Sequence, residues 1–145
     1  NHRPMATLIQ ETITDCAGSQ PVLVHVERHT LYKRRWRASA ANGTELAVDL
    51  EAPVSDGTIL KATTGELFRI KQLAEDVLII ALPKTTEMAA QIGWYLGNQH
   101  LPVEVRSDAI ILEKLDTLAA SLERIGIPYT FKHDVFQCKM HSHQH

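Results

Sequence analysis

The first half of the chain alternates short apolar segments with turn residues. Residues 22–26 follow a proline and are rich in β-branched side chains, which predicts a strand. Asn42-Gly43 is the strongest short-range hairpin signal, with residues 31–38 before it and the alternating residues 45–50 as the returning strand. Further turn pairs such as Asp56-Gly57 separate the remaining strands. This spacing predicts a small β-sheet domain or a partly open barrel.

The pattern changes after residue 72. Residues 77–82 form a continuous apolar run, which predicts a strand buried within a sheet. Pro83 ends the run, and a helix capped by Thr85 or Thr86 follows it. Apolar residues recur at helical spacing in this helix and are expected to form its buried stripe: Met88, Ile92, Tyr95 and Leu96.

The remaining segments complete a strand–helix–strand–strand–helix–strand order. Residues 102–106 and 109–112 predict two short strands. Leucines at helical spacing over residues 115–125 predict a second helix, which Gly126 closes. Residues 129–133 supply the last strand. This is the order of a ferredoxin-like βαββαβ unit.

The predicted fold class is therefore α+β, with three parts. A small β-sheet domain occupies residues 1–74, and a ferredoxin-like domain occupies residues 75–134. Residues 135–145 are polar and lack periodicity, which predicts a mobile tail that carries histidines.

One histidine follows the end of the first predicted helix. That helix runs into Gly97-Asn98, a pair that tolerates the left-handed backbone with which many helices stop. His100 comes next, and Pro102 forbids continuation of the helix. A lone histidine there is most often a polar loop residue, and one imidazole is too few for a metal site. Two chains could nevertheless place two copies of His100 across a two-fold axis.

The tail holds the other concentration of imidazoles, at His141, His143 and His145. Such alternation offers two imidazoles to one ion, and neutral imidazole suits Ni, Cu and Zn. A disordered tail that adsorbs metal without a specific role explains the same pattern. Exchangeable ligands favour metal delivery over catalysis, because a catalytic zinc site needs fixed ligands. Cys138 is a further candidate ligand, although an inert free cysteine is the commoner case.

The histidines elsewhere in the predicted domains sit in or beside strands and are assigned structural or surface roles: His25, His29 and His133.

Basic and aromatic residues mix within the first predicted hairpin. The candidate partner-binding residues are Tyr32, Lys33, Arg34, Arg35 and Arg37, with Trp36 among them. Such a surface can dock nucleic acid or an acidic protein. The simpler alternative is an edge strand kept soluble by its charges.

Composition narrows the functional classes. A hydrophobic fraction of 44% is enough for a core, and a net charge of −2 is not suited to attract nucleic acid or an anionic membrane. No apolar run approaches the roughly 18–20 residues of a membrane span. Cys16 and Cys138 lie far apart, which indicates a reducing, cytoplasmic setting. The sequence has no glycine-rich phosphate loop, nucleophile elbow or HExxH motif, so we do not expect an enzyme.

Residues 97–102, Gly-Asn-Gln-His-Leu-Pro, resemble the GN-x-H-x-P signature of the UreE urease accessory protein family, whose members are nickel metallochaperones. The basic segment followed by residues 42–45 and the later residues 56–60 resemble the family's N-terminal domain. The βαββαβ order and the histidine-bearing tail resemble its C-terminal domain. The resemblance covers nearly the whole chain.

The resemblance implies a homodimer joined through the C-terminal domains, with His100 of each chain at a shared Ni(II) site. Tail histidines would complete the coordination, and Zn(II) or Cu(II) could occupy the same site. The N-terminal domain would recognise apo-urease and other urease accessory proteins, so that nickel is delivered without turnover. Some members carry an additional His-x-His pair, which is replaced here by Lys114 and Asp116. That auxiliary site is therefore expected to be absent.

Two alternatives stay open. A general zinc or copper buffer would bind metal without activating urease. A nucleic-acid-binding module using residues 32–37 would bind oligonucleotides in a salt-dependent manner.

Overall fold

The computed structural model describes residues 5–138, which combine strands and helices and confirm the predicted α+β class. The described chain divides into two compact units, one ending at Leu73 and the other beginning at Ala74. The strands are β1 (Thr7–Ile13), β2 (Val22–Val26), β3 (Arg35–Ser39), β4 (Glu45–Asp49), β5 (Ile59–Ala62), β6 (Leu67–Gln72), β7 (Glu75–Ala81), β8 (Val103–Val105), β9 (Ala109–Glu113) and β10 (Thr130–Asp134). The helices are α1 (Arg28–Leu31), α2 (Thr86–Asn98) and α3 (Asp116–Ile125).

The N-terminal unit is built on one six-stranded sheet with the order β2-β6-β5-β1-β4-β3. The hairpin of β3 and β4 turns at Asn42-Gly43, where Gly43 adopts a φ of +86° that glycine tolerates without steric cost. The two edge strands come together where the Ala41 amide donates to the Leu23 carbonyl at 2.8 Å. The sheet therefore curls on itself around a core whose fully buried members include Ile9, Val24, Leu46, Leu60 and Phe68.

The strand predicted over residues 31–38 is shorter in the structure. β3 begins only at Arg35, and residues 28–31 form the single helical turn α1. The Arg28 guanidinium donates to the Tyr32 hydroxyl at 2.8 Å, a spacing of four residues that suits a helix. Leu31 is buried at the same time. These contacts hold the turn, so Tyr32 and the next two residues precede the strand.

The C-terminal unit is a four-stranded antiparallel sheet with the order β10-β7-β9-β8. Both longer helices pack on one face of it, where Leu78 and Leu112 meet Ile92, Leu96 and Leu122. α3 ends at Gly126, which adopts the left-handed conformation as predicted. No helix within residues 5–138 is both long enough and apolar enough to cross a membrane.

The opposite face of this sheet is covered as well. Val77 and Ile111 alternate with the helix-facing residues of their strands, so they face the other side, and both are buried. Glu104 pairs with Ile111 across the strands and therefore shares that face, where it accepts a hydrogen bond from the Gln137 amide. Phe136 is fully buried. Residues 135–138 fall in the segment predicted as a mobile tail, and within them Val135 and Gln137 form hydrogen bonds with Arg106 and Glu104.

Candidate metal centre

The helix that precedes His100 begins at a defined cap. Thr85 is the N-cap residue of α2, and its hydroxyl oxygen accepts a hydrogen bond from the Met88 amide at 3.3 Å. Glu87 lies in the first turn, where the helix dipole favours a negative charge. Of the two threonines that the sequence offered, the structure selects Thr85. The start of α2 is fixed by local chemistry.

The end of α2 differs from the expectation in one respect. Gly97 and Asn98 remain helical, and the left-handed residue is His100 itself, with a φ of +55°. The Gln99 amide donates to the Leu96 carbonyl, and the His100 amide donates to the Gly97 carbonyl at 3.0 Å. The chain must leave the helix by residue 100, because Pro102 biases Leu101 toward an extended backbone. The reversal therefore falls on the histidine.

This backbone conformation is uncommon for a residue with a side chain. Among the described residues, only Ala17 and His100 combine a positive φ with a side chain larger than hydrogen. Histidine is among the residues enriched in this region, at a cost of roughly 1 kcal/mol. Strain of this kind concentrates at functional sites, where the surrounding structure maintains it.

The imidazole of His100 is exposed and forms no hydrogen bond or ion pair within residues 5–138. The same part of the chain contains no group of three or more His, Cys, Asp or Glu side chains that could hold a metal ion. His100 therefore does not stand within a ready-made group of ligands on the described surface. A complete site would need ligands from other residues or from a second chain.

The other sequence-predicted ligands are not assembled around His100. His141, His143 and His145 lie outside the described residues. Cys138 forms no disulfide within residues 5–138, and its side chain is buried. The structure therefore gives its thiol no exposed position.

The three remaining histidines of the two units lie on or near strands. His25 is exposed on β2. His29 meets the Tyr32 ring edge-on at a centroid distance of 5.8 Å. His133 is an exposed residue of β10, and its Nδ1 lies 3.0 Å from an Asp76 carboxylate oxygen.

An apolar groove runs beside α2 within the C-terminal unit. Its volume is about 740 Å³, and its lining includes Leu82, Met88, Ile92, Trp94, Tyr95 and Ile125. Met88 was expected in the buried stripe but is 53% exposed, and Trp94 is 71% exposed. Ile92 and Leu96 are the buried residues of α2, and Met88, one turn before Ile92, lies at the exposed part of the groove. The groove lies on the helix that ends beside His100.

The basic segment lies at a sheet edge, since β3 ends the strand order. Lys33, Arg34 and Arg37 are exposed, whereas Trp36 points into the core. Arg35 is engaged with Asp49 of the neighbouring strand, with Nε 3.0 Å from the carboxylate oxygen.

Sequence reasoning missed an ionic cluster that fixes the residues after β10. Glu104, Arg106, Asp134, Val135 and Gln137 form what we call the C-terminal clasp. Arg106 Nε donates to Glu104 Oε2 at 2.8 Å, and its Nη1 donates to Asp134 Oδ2 at 3.0 Å. Arg106 Nη2 donates to the Val135 carbonyl at 2.9 Å. Glu104 and Arg106 lie two residues apart in the strand predicted over residues 102–106, but the sequence could not identify their partners about thirty residues later.

Hydrogen bonds within the clasp shift the pKa values of two of its members, Asp134 and Arg106. The hydrogen bond from Arg106 lowers the pKa of Asp134, and the backbone amide of Val135 lowers it further. Hydrogen bonds to Glu104 and then to Asp134 raise the pKa of Arg106. Arg106 and Asp134 are therefore held in their charged forms by hydrogen bonds to each other's charge.

Comparison with known proteins identifies the class of this chain. Residues 75–145 match the C-terminal domain model of the UreE urease accessory protein. This is the unit that carries the exposed His100 at a helix end. The C-terminal unit is thus of the urease accessory protein class.

Curated relatives extend the match into the N-terminal unit. The urease accessory protein UreE of Beijerinckia indica subsp. indica is 32% identical over 122 residues, which cover 78% of this chain and 68% of the relative. UreE of Staphylococcus carnosus is 30% identical over 109 residues, covering 74% and 72%. UreE of Staphylococcus aureus is 31% identical over 108 residues, covering 73% and 71%. The chain belongs to the UreE family, as the resemblance of residues 97–102 indicated.

Proposed function

We propose that this protein is a nickel metallochaperone that delivers Ni(II) to apo-urease during urease maturation and has no turnover of its own. The observation that carries the proposal is His100. Its imidazole is exposed and unengaged within the described chain, and it stands on a strained helix end in the unit that matches the UreE model. Zn(II) or Cu(II) can occupy the same kind of imidazole site.

The ligand set that we propose comes from two chains. One imidazole does not hold a metal ion, but a two-fold axis beside an exposed His100 would add the imidazole of a second copy. His141, His143 and His145 would complete the coordination. Ligands from a tail exchange more readily than ligands fixed in a core, which suits a cargo ion that must be released.

The apolar groove supports a homodimer formed through the ferredoxin-like C-terminal domains. Trp94 and Met88 expose large apolar surfaces on α2. Concentrated apolar exposure of this kind is typical of interaction surfaces. Trp94 lies one turn before the last residue of α2, Asn98, and His100 follows that end by two residues. A second copy seated on this groove would bring the two imidazoles toward each other.

For the N-terminal unit we propose recognition of urease and other urease accessory proteins. Lys33, Arg34 and Arg37 are exposed and have no ion pair within residues 5–138. An acidic protein surface would complement these charges. We place this work in the cytoplasm, as the wide separation of Cys16 and Cys138 along the sequence suggests.

The test is activation of nickel-free urease by the nickel-loaded protein, with the other accessory proteins present and a chelator to capture free nickel. We expect the native chain to activate urease and His100→Asn to activate it at least tenfold less. Equal activation by both would contradict the role of His100. Metal binding without any activation would support the alternative of a general zinc or copper buffer.

A further inference from the structure

We propose that the outer face of β2, β5 and β6 is a docking surface for an acidic segment of a protein partner. We call this surface the basic face, and it comprises Leu23, His25, Lys61, Leu67, Arg69 and Lys71. The inference rests on the proposed function and deepens it, because it adds a second surface by which the N-terminal unit recognises its partners. It requires neither a metal ion nor His100.

Strand alternation places these side chains together on the outside of the N-terminal sheet. β2, β6 and β5 are neighbours in the strand order. Val24, Leu60 and Ile70 lie in the core, one on each of the three strands. The residues that alternate with them therefore point away from the core.

The register brings the cations of this face close to one another. Leu23 stands opposite Arg69, and His25 stands opposite Lys71. Neighbouring strands are about 5 Å apart, and residues two positions apart on one strand are about 7 Å apart. This spacing is within the about 8 Å over which physiological salt screens charges. Arg69 and Lys71 therefore act on an incoming ligand as one positive surface.

The three strands of the basic face carry no aspartate or glutamate. Carboxylates lie at its margins instead. Glu11 of β1 stands opposite Lys61. Glu66, just before β6, accepts a hydrogen bond from the Thr64 hydroxyl, and Asp56 accepts one from a backbone amide. The centre of the face is thus positively charged without internal compensation.

Arg69 brings an unsatisfied donor to this centre. Its Nε is buried and has no hydrogen-bond partner within residues 5–138. Neither Arg69 nor Lys71 forms an ion pair in that part of the chain. A guanidinium that has lost water at one nitrogen lies in a lower local dielectric, so an incoming carboxylate attracts it more strongly than it attracts a fully hydrated cation. The planar guanidinium also matches the geometry of a carboxylate.

Apolar side chains on the same face favour a protein segment over nucleic acid. Leu23, opposite Arg69, is 38% exposed, and Leu67 is half-buried two residues before Arg69. Single-stranded nucleic acid is bound by aromatic side chains on which its bases stack. The aromatic residue of these three strands, Phe68, lies in the core instead. A peptide that mixes carboxylates with apolar side chains fits the face better.

The experiment measures the binding of labelled probes to the full chain by fluorescence anisotropy. The main probe is a peptide of alternating Glu and Leu, and a peptide of Glu alone and a single-stranded oligonucleotide of equal charge are compared with it. We expect Arg69→Gln combined with Lys71→Gln to weaken peptide binding at least about threefold, with a smaller effect in high salt. Leu23→Ser should weaken binding of the Glu-Leu peptide and not of the Glu peptide.

The matched control is Lys84→Gln combined with Lys132→Gln, which removes two exposed cations from the C-terminal unit. It should leave peptide binding unchanged. If the Arg69 and Lys71 double variant does not fold, Lys71→Glu replaces it, because Lys71 is exposed, and the same loss is expected. Equal peptide binding by the native chain and the double variant would overturn the proposal. An equal loss in the control, or tighter binding of the oligonucleotide than of the peptide, would overturn it as well.

Two further measurements separate this proposal from the proposed function. A loss of peptide binding confined to Lys33→Gln combined with Arg34→Gln would assign recognition to the β3 edge, which removes the basic face and leaves the proposed function intact. The Arg69 and Lys71 double variant should bind nickel as the native chain does. Nickel binding that is independent of His100 would remove the proposed metal delivery, whereas peptide binding by His100→Asn should equal that of the native chain.

Discussion

The backbone amide of His100 donates to the carbonyl of Gly97 at 3.0 Å, and this bond turns the chain out of α2 with His100 in the left-handed conformation. The candidate ligand is therefore also the residue that ends the helix. No hydrogen bond or ion pair within residues 5–138 orients its imidazole, so the backbone turn at His100 sets the position of the side chain. A substitution at this position removes the ligand, and only residues that tolerate a positive φ, such as Asn or Gly, leave the backbone unchanged.

The left-handed backbone predicts that glycine and alanine at position 100 change the free energy of unfolding in opposite directions. We expect His100→Gly to keep or raise the free energy of unfolding, because glycine adopts a positive φ without steric cost. His100→Ala should unfold about 1 kcal/mol more easily than His100→Gly. Urea denaturation measures both values. An alanine variant more stable than the glycine variant would contradict the assigned conformation, and His100→Asn is the cleaner variant for metal binding.

Gly97, in the last turn of α2, leads to a second prediction. A Cβ added at Gly97 would meet nothing within 4 Å, and the residue is helical. Gly97→Ala should therefore raise the stability of the isolated chain by about 0.5–1 kcal/mol. Gly126→Ala is the matched control and should be destabilising, because Gly126 has a φ of +79°. If a second copy packs on α2, the gain at Gly97 should shrink as protein concentration rises.

Asp134 predicts a pH dependence of stability. Its pKa is lowered in the folded chain from an ordinary value of 3.8, chiefly by Arg106. The ionised form is thus favoured by folding, so the contribution is complete above pH 3.8 and is lost as pH falls through the lowered pKa. Asp134→Asn should be less stable than the native chain at pH 7 and should lose less stability on acidification. Thermal unfolding from pH 7 to pH 2 measures this, and parallel curves would contradict it.

Trp94 predicts a change of assembly without a change of fold. It is 71% exposed, so Trp94→Ser should alter the stability of one chain by less than about 0.5 kcal/mol. If the groove is the homodimer interface, the same change should weaken the dimer at least tenfold, because large aromatic residues dominate such contacts. Sedimentation equilibrium measures the association. Val105→Ser, also highly exposed but outside the groove lining, should leave the association unchanged.

Local signals made much of the fold predictable. The Asn42-Gly43 turn, the apolar run of β7 and the glycine that ends α3 each act through neighbouring residues, and each lies where the sequence indicates. Exposure on α2 was less predictable, because Met88 fits the helical period but lies at a groove rather than under the sheet. Periodicity gives the direction of a side chain and not what covers it.

At the candidate site, too, local sequence signals did not show which distant residues would be in contact. His100 could be singled out from its position after a helix and before a proline, but the left-handed residue was expected two or three positions earlier. The clasp depends on Arg106 meeting Asp134 across 28 residues, which no local pattern encodes. Long-range polar contacts of this kind follow from the packed sheet, and so the anchoring of residues 135–138 required the structure.

The most direct measurement is a nickel titration by calorimetry of the full chain, His100→Asn and a chain ending at Met140, with molecular mass determined in parallel. The account predicts about one tightly bound nickel ion per two chains, lost in His100→Asn and weakened without the tail. Nickel binding by His100→Asn equal to that of the native chain would contradict it. His100 would then be a loop residue that ends a helix, and the tail would bind metal without it.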